Sequence, residues 1–185
     1  KQMLAARPPD AGTSVVDSYS ELFLGPLGFE PLFTTPWFFR SPKPLDVEPV
    51  GAPRIPRIEV VNAPVQLHEF DRAAAVGFAQ SNADTVYSLP LLSDNRYRFY
   101  FIRQANQIVA GVQTFTNDSS VGIYTLFTLP EYQQIGFARS LLNRVILDNP
   151  NLPAITNPDD QSEHLFASEG FTHIGTRTVW RFVQD

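Results

Sequence analysis

The stretch that decides the fold is VGIYTLFTLPEYQQIGFARSLLNRVIL, residues 121–147. Its first part is rich in β-branched and aromatic residues, which favour a strand. Pro130 should end that strand, because proline has no N–H to donate to a neighbouring strand. Beyond it, apolar residues recur at helical spacing and predict one buried helix face. The residues of this face are Ile135, Ala138, Leu141, Leu142, Val145 and Ile146.

The start of that helix contains a glycine with small neighbours. Such a turn leaves the N–H groups of the first helical turn unpaired and accessible. Together with the positive end of the helix dipole, these groups form an anion site, and several convergent donors suit a diphosphate. The alternative is a plain strand-turn-helix in which Gly136 only allows close packing. The residues that build the turn are Gln133, Gln134, Ile135, Gly136, Phe137 and Ala138.

The pattern Gln133-x-x-Gly136-x-Ala138 resembles the Q/R-x-x-G-x-G/A motif of the Gcn5-related N-acetyltransferases (GNAT). Downstream, LFASEGF at residues 165–171 resembles the family's LYxxxGF helix end, at a spacing that suits the fold. The resemblance covers about residues 58 to 183. It implies the GNAT acyl-CoA N-acyltransferase fold, a mixed, mostly antiparallel sheet with helices on both faces. Periodicity alone indicates an α/β or α+β sheet with helices on both sides.

We expect residues 57–185 to form the GNAT domain and residues 1–56 to form an N-terminal arm packed on it. Within the arm, the sequence predicts a short helix at 15–24 and an extended segment at 32–40, followed by a proline-rich linker at 41–56. In the domain, we expect a strand at 58–61 and a helix at 64–80. The strands at 96–103 and 107–116 and the strand from Val121 should form an antiparallel meander. A short parallel strand at 154–156, a helix at 161–168 and a last strand at 174–183 follow.

Composition excludes several classes of function. The net charge is −5 and there is no basic tract, which disfavours nucleic-acid binding. The absence of cysteine excludes disulfides, thiolate metal sites and a cysteine nucleophile, and the three histidines have no spacing typical of a metal site. No apolar run approaches the roughly 18–20 residues of a membrane span, and no signal peptide is visible, so we expect a cytoplasmic protein.

The resemblance implies acetyl-CoA as cofactor. In the family, the pantetheine arm lies along the central strand, which by position means the edge formed by Leu126, Phe127 and Thr128. The diphosphate would sit on backbone N–H groups from Gln134 to Arg139. Arg139 could add a charge to a phosphate, or it could be an ordinary solvated helix residue. The helix at 161–168 would flank the thiol, which adds Phe166 to the cofactor-contacting residues.

The proton-transfer half of the site departs from the family. Many members carry a glutamate close to the position of Gly122, and a tyrosine where this chain has Phe166. No catalytic residue is therefore assigned, and Asp118, Tyr124 and His164 are the nearest polar candidates. Each could instead have an ordinary structural role: Asp118 as a turn former, Tyr124 as a packed strand residue and His164 as a structural helix residue. A water chain could also serve, or the thiolate could leave unassisted.

These observations favour an N-acetyltransferase that moves an acetyl group from acetyl-CoA to a primary amine of a small molecule or peptide. The alternative is a non-catalytic acyl-CoA-binding sensor or interaction domain of the same fold. In the family, the region that corresponds to residues 81–95 covers the acceptor, so the resemblance implies Tyr87 as a wall residue; the alternative is an ordinary connection packed on the sheet. The acceptor is not identified, and the aromatic-rich arm could cover this molecule or a second copy in a homodimer.

Overall fold

The computed structural model of the chain describes residues 12–42, 56–78 and 87–183. Its contacts divide the chain into two compact units. The larger unit is Arg40–Thr156, and the smaller one combines Lys1–Phe39 with Asn157–Asp185. The strand-turn-helix at residues 121–147 lies wholly in the larger unit.

The described residues of the larger unit form five neighbouring strands of a sheet, in the order β7-β6-β5-β4-β3. Neighbouring strands are antiparallel except β6 and β7, which run parallel. The predicted meander and the short parallel strand are therefore confirmed. The strands are β3 (Ile58–Val60), β4 (Tyr97–Gln104), β5 (Gln107–Thr116), β6 (Val121–Thr128) and β7 (Ala154–Thr156).

Two helices cover opposite faces of this sheet, as predicted. They are α1 (Pro64–Gly77) and α2 (Phe137–Asp148). Successive residues of a strand point to opposite faces. On β4, Phe99 packs edge-on against Phe70 of α1, whereas the hydroxyl of the next residue, Tyr100, donates to Asp148 of α2 at 3.0 Å. The mixed sheet with helices on both faces is the expected fold class.

The core on the α1 side is built from aromatic rings. Phe70 is fully buried and meets Phe99 and Phe127 edge-on, with ring centroids 5.4 and 5.3 Å apart. Gly111 lies beneath them, and a Cβ there would meet Phe70 at 2.5 Å. Burying one such ring contributes about 2 kcal/mol. The core therefore fixes the second half of β6, which carries Phe127, against α1.

Two predicted details of the helices differ from the structure. Helix α1 begins at Pro64 as expected but ends at Gly77, and residues 79 and 80 of the predicted helix lie outside the described residues. Helix α2 begins only at Phe137, so the expectation that Ile135 is buried on its inner face is wrong; Ile135 is 56% exposed. Leu141, Leu142, Val145 and Ile146 are buried as predicted, whereas Ala138 is only half-buried.

The described part of the smaller unit contains three antiparallel strands in the order β1-β8-β2, one α-helix and a 3-10 helix at Gly25–Leu27. Its strands are β1 (Ser14–Asp17), β2 (Phe29–Arg40) and β8 (Thr172–Phe182). The helix α3 (Glu163–Ser168) is shorter than the predicted 161–168. Strand β2 contains the extended segment predicted at 32–40, and it pairs with β8 from Phe29↔Phe182 to Phe39↔Thr172.

The helix predicted at 15–24 is wrong. Val15 and Val16 lie in β1, where they pair with Trp180 and Val179 of β8. The Asp17 carboxylate then accepts the backbone N–H groups of Leu22 at 2.7 Å and Tyr19 at 3.3 Å, which closes a turn. The β-branched pair and the local side-chain hydrogen bonds favour strand and turn over helix. Most of the predicted linker, residues 43–55, lies outside the described residues, and the domain boundary at 56 stays a prediction.

Candidate functional site

Strand β6 extends beyond its parallel neighbour. The ladder with β7 joins Val121, Gly122 and Ile123 to Ala154, Ile155 and Thr156, and it goes no further. Strand β6 itself continues to Thr128. Among the described residues of the larger unit, no strand pairs with this edge of β6 after Ile123. The edge predicted to hold the pantetheine arm therefore projects past the end of β7.

A β-bulge interrupts β6 at the middle of this edge. Tyr124 lies opposite Gln113 and Phe127 lies opposite Gly111, so two residues of β6, Thr125 and Leu126, face only Val112 of β5. Thr125 adopts a left-handed backbone conformation with φ of +49°. An extra residue of this kind bends a strand and changes which groups it directs to each side.

The bulge decides which amide reaches the open edge. Leu129 donates its N–H to the Val109 carbonyl at 2.8 Å, and Phe127 is in register with Gly111. Because antiparallel pairs alternate, Thr128 between them directs its amide away from β5, towards the open edge. Phe127, also predicted to line the cofactor, instead directs its amide to β5 and buries its ring in the core. Leu126 lies in the bulge.

The turn before α2 presents a run of unpaired amides. The N–H groups of residues 134–138 meet no protein acceptor among the described residues, and the first helical bond is that of Ser140 to the Gly136 carbonyl at 3.0 Å. Gln134 and Gly136 both have positive φ, +61° and +90°. Successive amides in such a turn form an anion-binding nest at the positive end of the helix. The predicted donors Gln134, Ile135, Gly136, Phe137 and Ala138 all lie in it.

Gly136 does not serve close packing. A Cβ at this position would find no atom within 4 Å, so the space above the turn is open. The glycine is needed instead for its positive φ, which L-residues with a side chain rarely adopt. The alternative of a plain strand-turn-helix packed around a small residue does not account for this geometry.

Gln133 links the turn to the strand rather than joining the open amides. Its N–H donates to the Pro130 carbonyl at 3.3 Å, and its side-chain amide donates to the Thr128 carbonyl at 3.3 Å. The two parts of the predicted cofactor site are thereby tied together by one side chain. Arg139 is exposed in the first turn of α2, next to the nest.

Of the catalytic candidates, only Tyr124 lies beside the bulge. It is 42% exposed. Asp118 is exposed in the β5–β6 turn, at the other end of the strand and about 20 Å away by strand length. His164 is exposed in α3 of the smaller unit. Phe166 is buried in the same helix, edge-on to Phe171.

Tyr87 contacts the bulge directly. Its hydroxyl forms a hydrogen bond with Thr125 Oγ1, and its ring packs edge-on against Phe70 and Phe99. The pKa of this hydroxyl lies above that of an exposed tyrosine. Burial is the main cause and the Asp71 charge adds to it, whereas the Thr125 hydrogen bond lowers the pKa. Sequence reasoning singled out Tyr87 as an acceptor wall but missed Thr125, because no local pattern marks a left-handed threonine.

The residues present fit coenzyme A. The open nest matches the needs of a diphosphate, and the exposed edge at Thr128 offers main-chain groups to an extended amide-containing arm. Thr128 Oγ1 is buried without a hydrogen-bond partner in the described structure. The described residues contain no group of side chains that could hold a metal ion, and none of their helices is long and apolar enough to cross a membrane.

Comparisons with known proteins agree with the fold. A family model described as an acetyltransferase (GNAT) domain matches residues 68–183. A solved protein from Novosphingobium aromaticivorans, described as a GNAT-family acetyltransferase, is 17% identical with a TM-score of 0.66, over 98% of this chain and 80% of that one. A GCN5-related N-acetyltransferase from Kribbella flavida is 16% identical with a TM-score of 0.62, over 88% of this chain and 63% of that one.

A third solved structure carries a more specific description. It is an aminoglycoside acetyltransferase from an uncultured soil metagenomic sample, in complex with sisomicin. It is 17% identical with a TM-score of 0.50, over 60% of this chain and 83% of that one. At these identities the likeness to solved structures shows the fold. The chain spans less than two thirds of the length of the Kribbella protein, and no curated protein matches it.

Proposed function

Because the chain belongs to the GNAT acetyltransferase family, we propose that it transfers an acetyl group from acetyl-CoA to a primary amine of a small molecule or peptide. The observation that carries this proposal is the run of unpaired amides at residues 134–138, placed directly after the strand with the open edge. A strand edge followed by an anion nest matches two adjacent parts of an acyl-CoA, its pantetheine arm and its diphosphate.

The nest would bind the diphosphate of the cofactor. Each N–H of the turn can donate to a phosphate oxygen, and the dipole of α2 favours the negative charge. Charged acceptors make these hydrogen bonds stronger than those between neutral groups. Gln133 keeps the turn at a set distance from Thr128 through its bond to the Thr128 carbonyl. Arg139, exposed in the first turn of α2, would add a positive charge near the nest.

The bulge would supply the hydrogen-bond donor for the acyl group of the cofactor. In the proposed reaction, the amine nitrogen attacks the thioester carbonyl carbon, the C–S bond breaks, the nitrogen loses a proton and the thiolate gains one. An amide of the bulged segment, at Leu126 or Thr128, would donate to the carbonyl oxygen as negative charge develops on it. Such preorganised donors lower the barrier because they need no rearrangement during the reaction.

Proton transfer would depend on Tyr124 and solvent. Tyr124 is half-exposed beside the bulge, so its hydroxyl can pass a proton between the amine and water. The buried Phe166 has no proton to give, and the thiolate would leave with a proton from water. Loss of direct acid catalysis costs about 10² to 10⁴-fold in rate and does not abolish the reaction. Asp118 and His164 remain predictions, as do the cytoplasmic location and the homodimer.

The missing carboxylate and tyrosine favour a second candidate, a non-catalytic domain that binds acyl-CoA as a sensor or interaction module. One experiment separates the two. The purified chain is incubated with acetyl-CoA and a panel of amines that includes aminoglycosides, polyamines and peptides, and free thiol is measured. Amine-dependent thiol release supports the transferase. A thermal upshift with coenzyme A but no thiol release on any amine supports the binding domain.

A further inference from the structure

The bulge residue Thr125 holds a conformation that its side chain disfavours. Its φ is +49°, in the left-handed region, which β-branched residues adopt only when their surroundings impose it. Glycine is the usual residue at such a bulge position. Because the local sequence does not explain this conformation, a tertiary contact must hold it. Among the described residues, the Oγ1 of Thr125 shares a hydrogen bond with the Tyr87 hydroxyl, in which either oxygen can be the donor.

Tyr87 is itself held firmly. Its backbone N–H donates to Asp71 Oδ2 at 3.3 Å, and Asp71 is a buried carboxylate of α1. Its ring packs edge-on against Phe99 and Phe70 at centroid distances of 4.8 and 6.0 Å. A hydroxyl fixed by its own backbone and by two core rings can fix its partner in turn.

The bulge changes which residues of β6 face the open side. Before the bulge, the Val121 N–H donates to the Pro153 carbonyl and the Ile123 carbonyl accepts from the Thr156 hydroxyl, so the backbone groups of odd-numbered residues point towards β7. After the bulge, the backbone groups of an even-numbered residue, Thr128, point to that side. Without the extra residue at 125, the alternation would turn the Thr128 amide towards β5.

We propose that Tyr87 is a positioning residue that holds Thr125 in its left-handed conformation and thereby presents the amides of the bulged segment to the acyl donor. The inference rests on the proposed function for its role in acetyl-CoA binding. It also links Tyr87, which lies two residues before the 3-10 helix at Leu89–Ser93, to the open edge of β6. A residue expected to line the acceptor side then also sets the geometry on the donor side.

The test compares the wild type, Tyr87→Phe, Thr125→Gly and the double variant. Phenylalanine keeps the packing and removes only the hydroxyl, whereas glycine adopts positive φ without help. Two quantities are measured: the backbone NMR coupling and amide shifts of residues 125–128 in the free protein, and the acetyl-CoA dissociation constant. Tyr97→Phe, in the same aromatic cluster, is the matched control and should match the wild type.

We expect Tyr87→Phe to move the amide shifts of residues 125–128 and to weaken acetyl-CoA binding about fivefold. In the Thr125→Gly background the same change should have no further effect, because the glycine no longer needs the hydroxyl. Unchanged shifts in Tyr87→Phe, or an equal effect in both backgrounds, overturn the positioning role. A wild type that does not bind acetyl-CoA overturns the proposed function, while the NMR comparison still decides whether Tyr87 holds the bulge.

Discussion

The ring of Tyr124 lies over Gly122. A Cβ built on Gly122 would meet the Tyr124 hydroxyl oxygen at 2.5 Å. Since residues two apart on a strand share a face, the missing side chain at 122 makes the space that the tyrosine fills. The family resemblance implies a carboxylate close to position 122 in many members; in this chain the phenol of Tyr124, the next residue on that face, fills the space over Gly122.

Gly122→Ala should displace this ring. The clash is with the far end of a half-exposed side chain, so the tyrosine can swing outwards and the free energy of unfolding should change by less than about 1 kcal/mol. If Tyr124 passes the proton, kcat should fall in Gly122→Ala and in Tyr124→Phe by a similar factor, with the KM for acetyl-CoA unchanged. Steady-state kinetics check this. A normal kcat in both variants would remove Tyr124 from the mechanism.

Gly136→Glu combined with Gln133→Glu should abolish coenzyme A binding. Two carboxylates at the nest repel the diphosphate, and the glutamate at 136 enters the open space above the amides. Isothermal titration with coenzyme A measures the effect. Gly136→Asn is the matched control, because asparagine tolerates positive φ and carries no charge; its affinity should stay within about threefold of the wild type. Unchanged binding in the double variant would place the diphosphate elsewhere.

Phe166→Tyr tests whether an acid is missing. A hydroxyl in the family's tyrosine position should raise turnover, by up to about 10² if it reaches the leaving thiolate. The residue is 2% exposed, so a hydroxyl without a partner would cost about 1–3 kcal/mol of stability. Turnover and melting temperature are measured together. Lower stability with no gain in rate would mean that the hydroxyl does not reach the thiolate.

The turn after β1 should make stability depend on pH. Burial alone would raise the pKa of the Asp17 carboxyl, but the amide hydrogen bonds from Leu22, Tyr19 and Glu21 lower it, and the net pKa lies below the ordinary value. The stabilisation is then complete above the pKa of the unfolded chain, near 4, and is lost as pH falls through the lower folded pKa. Asp17→Asn should therefore be less stable than the wild type at neutral pH, with a difference that shrinks below about pH 4. Thermal unfolding across this range checks it, and a constant difference would contradict the role of the charge.

Much of the larger unit could be predicted because its signals are local. The meander strands show alternating or continuous apolar character, and the buried positions of α2 recur at helical spacing. The nest was predictable from a glycine at the junction of strand and helix, since unpaired amides follow from the way any helix begins. These features depend on residues a few positions apart, and their order along the chain is enough to identify them.

The remaining features depend on residues far apart in the chain. Val15 and Val16 form a strand because β8, more than 150 residues later, offers a partner edge. Thr125 is left-handed beside Tyr87, 38 residues earlier, and this pairing decides which amide of β6 reaches the open edge. Local preference specified strands, turns and helix faces. The conformation at the bulge and the position of Tyr124 over Gly122 were decided by tertiary hydrogen bonds and close packing, which leave no periodic pattern in the sequence.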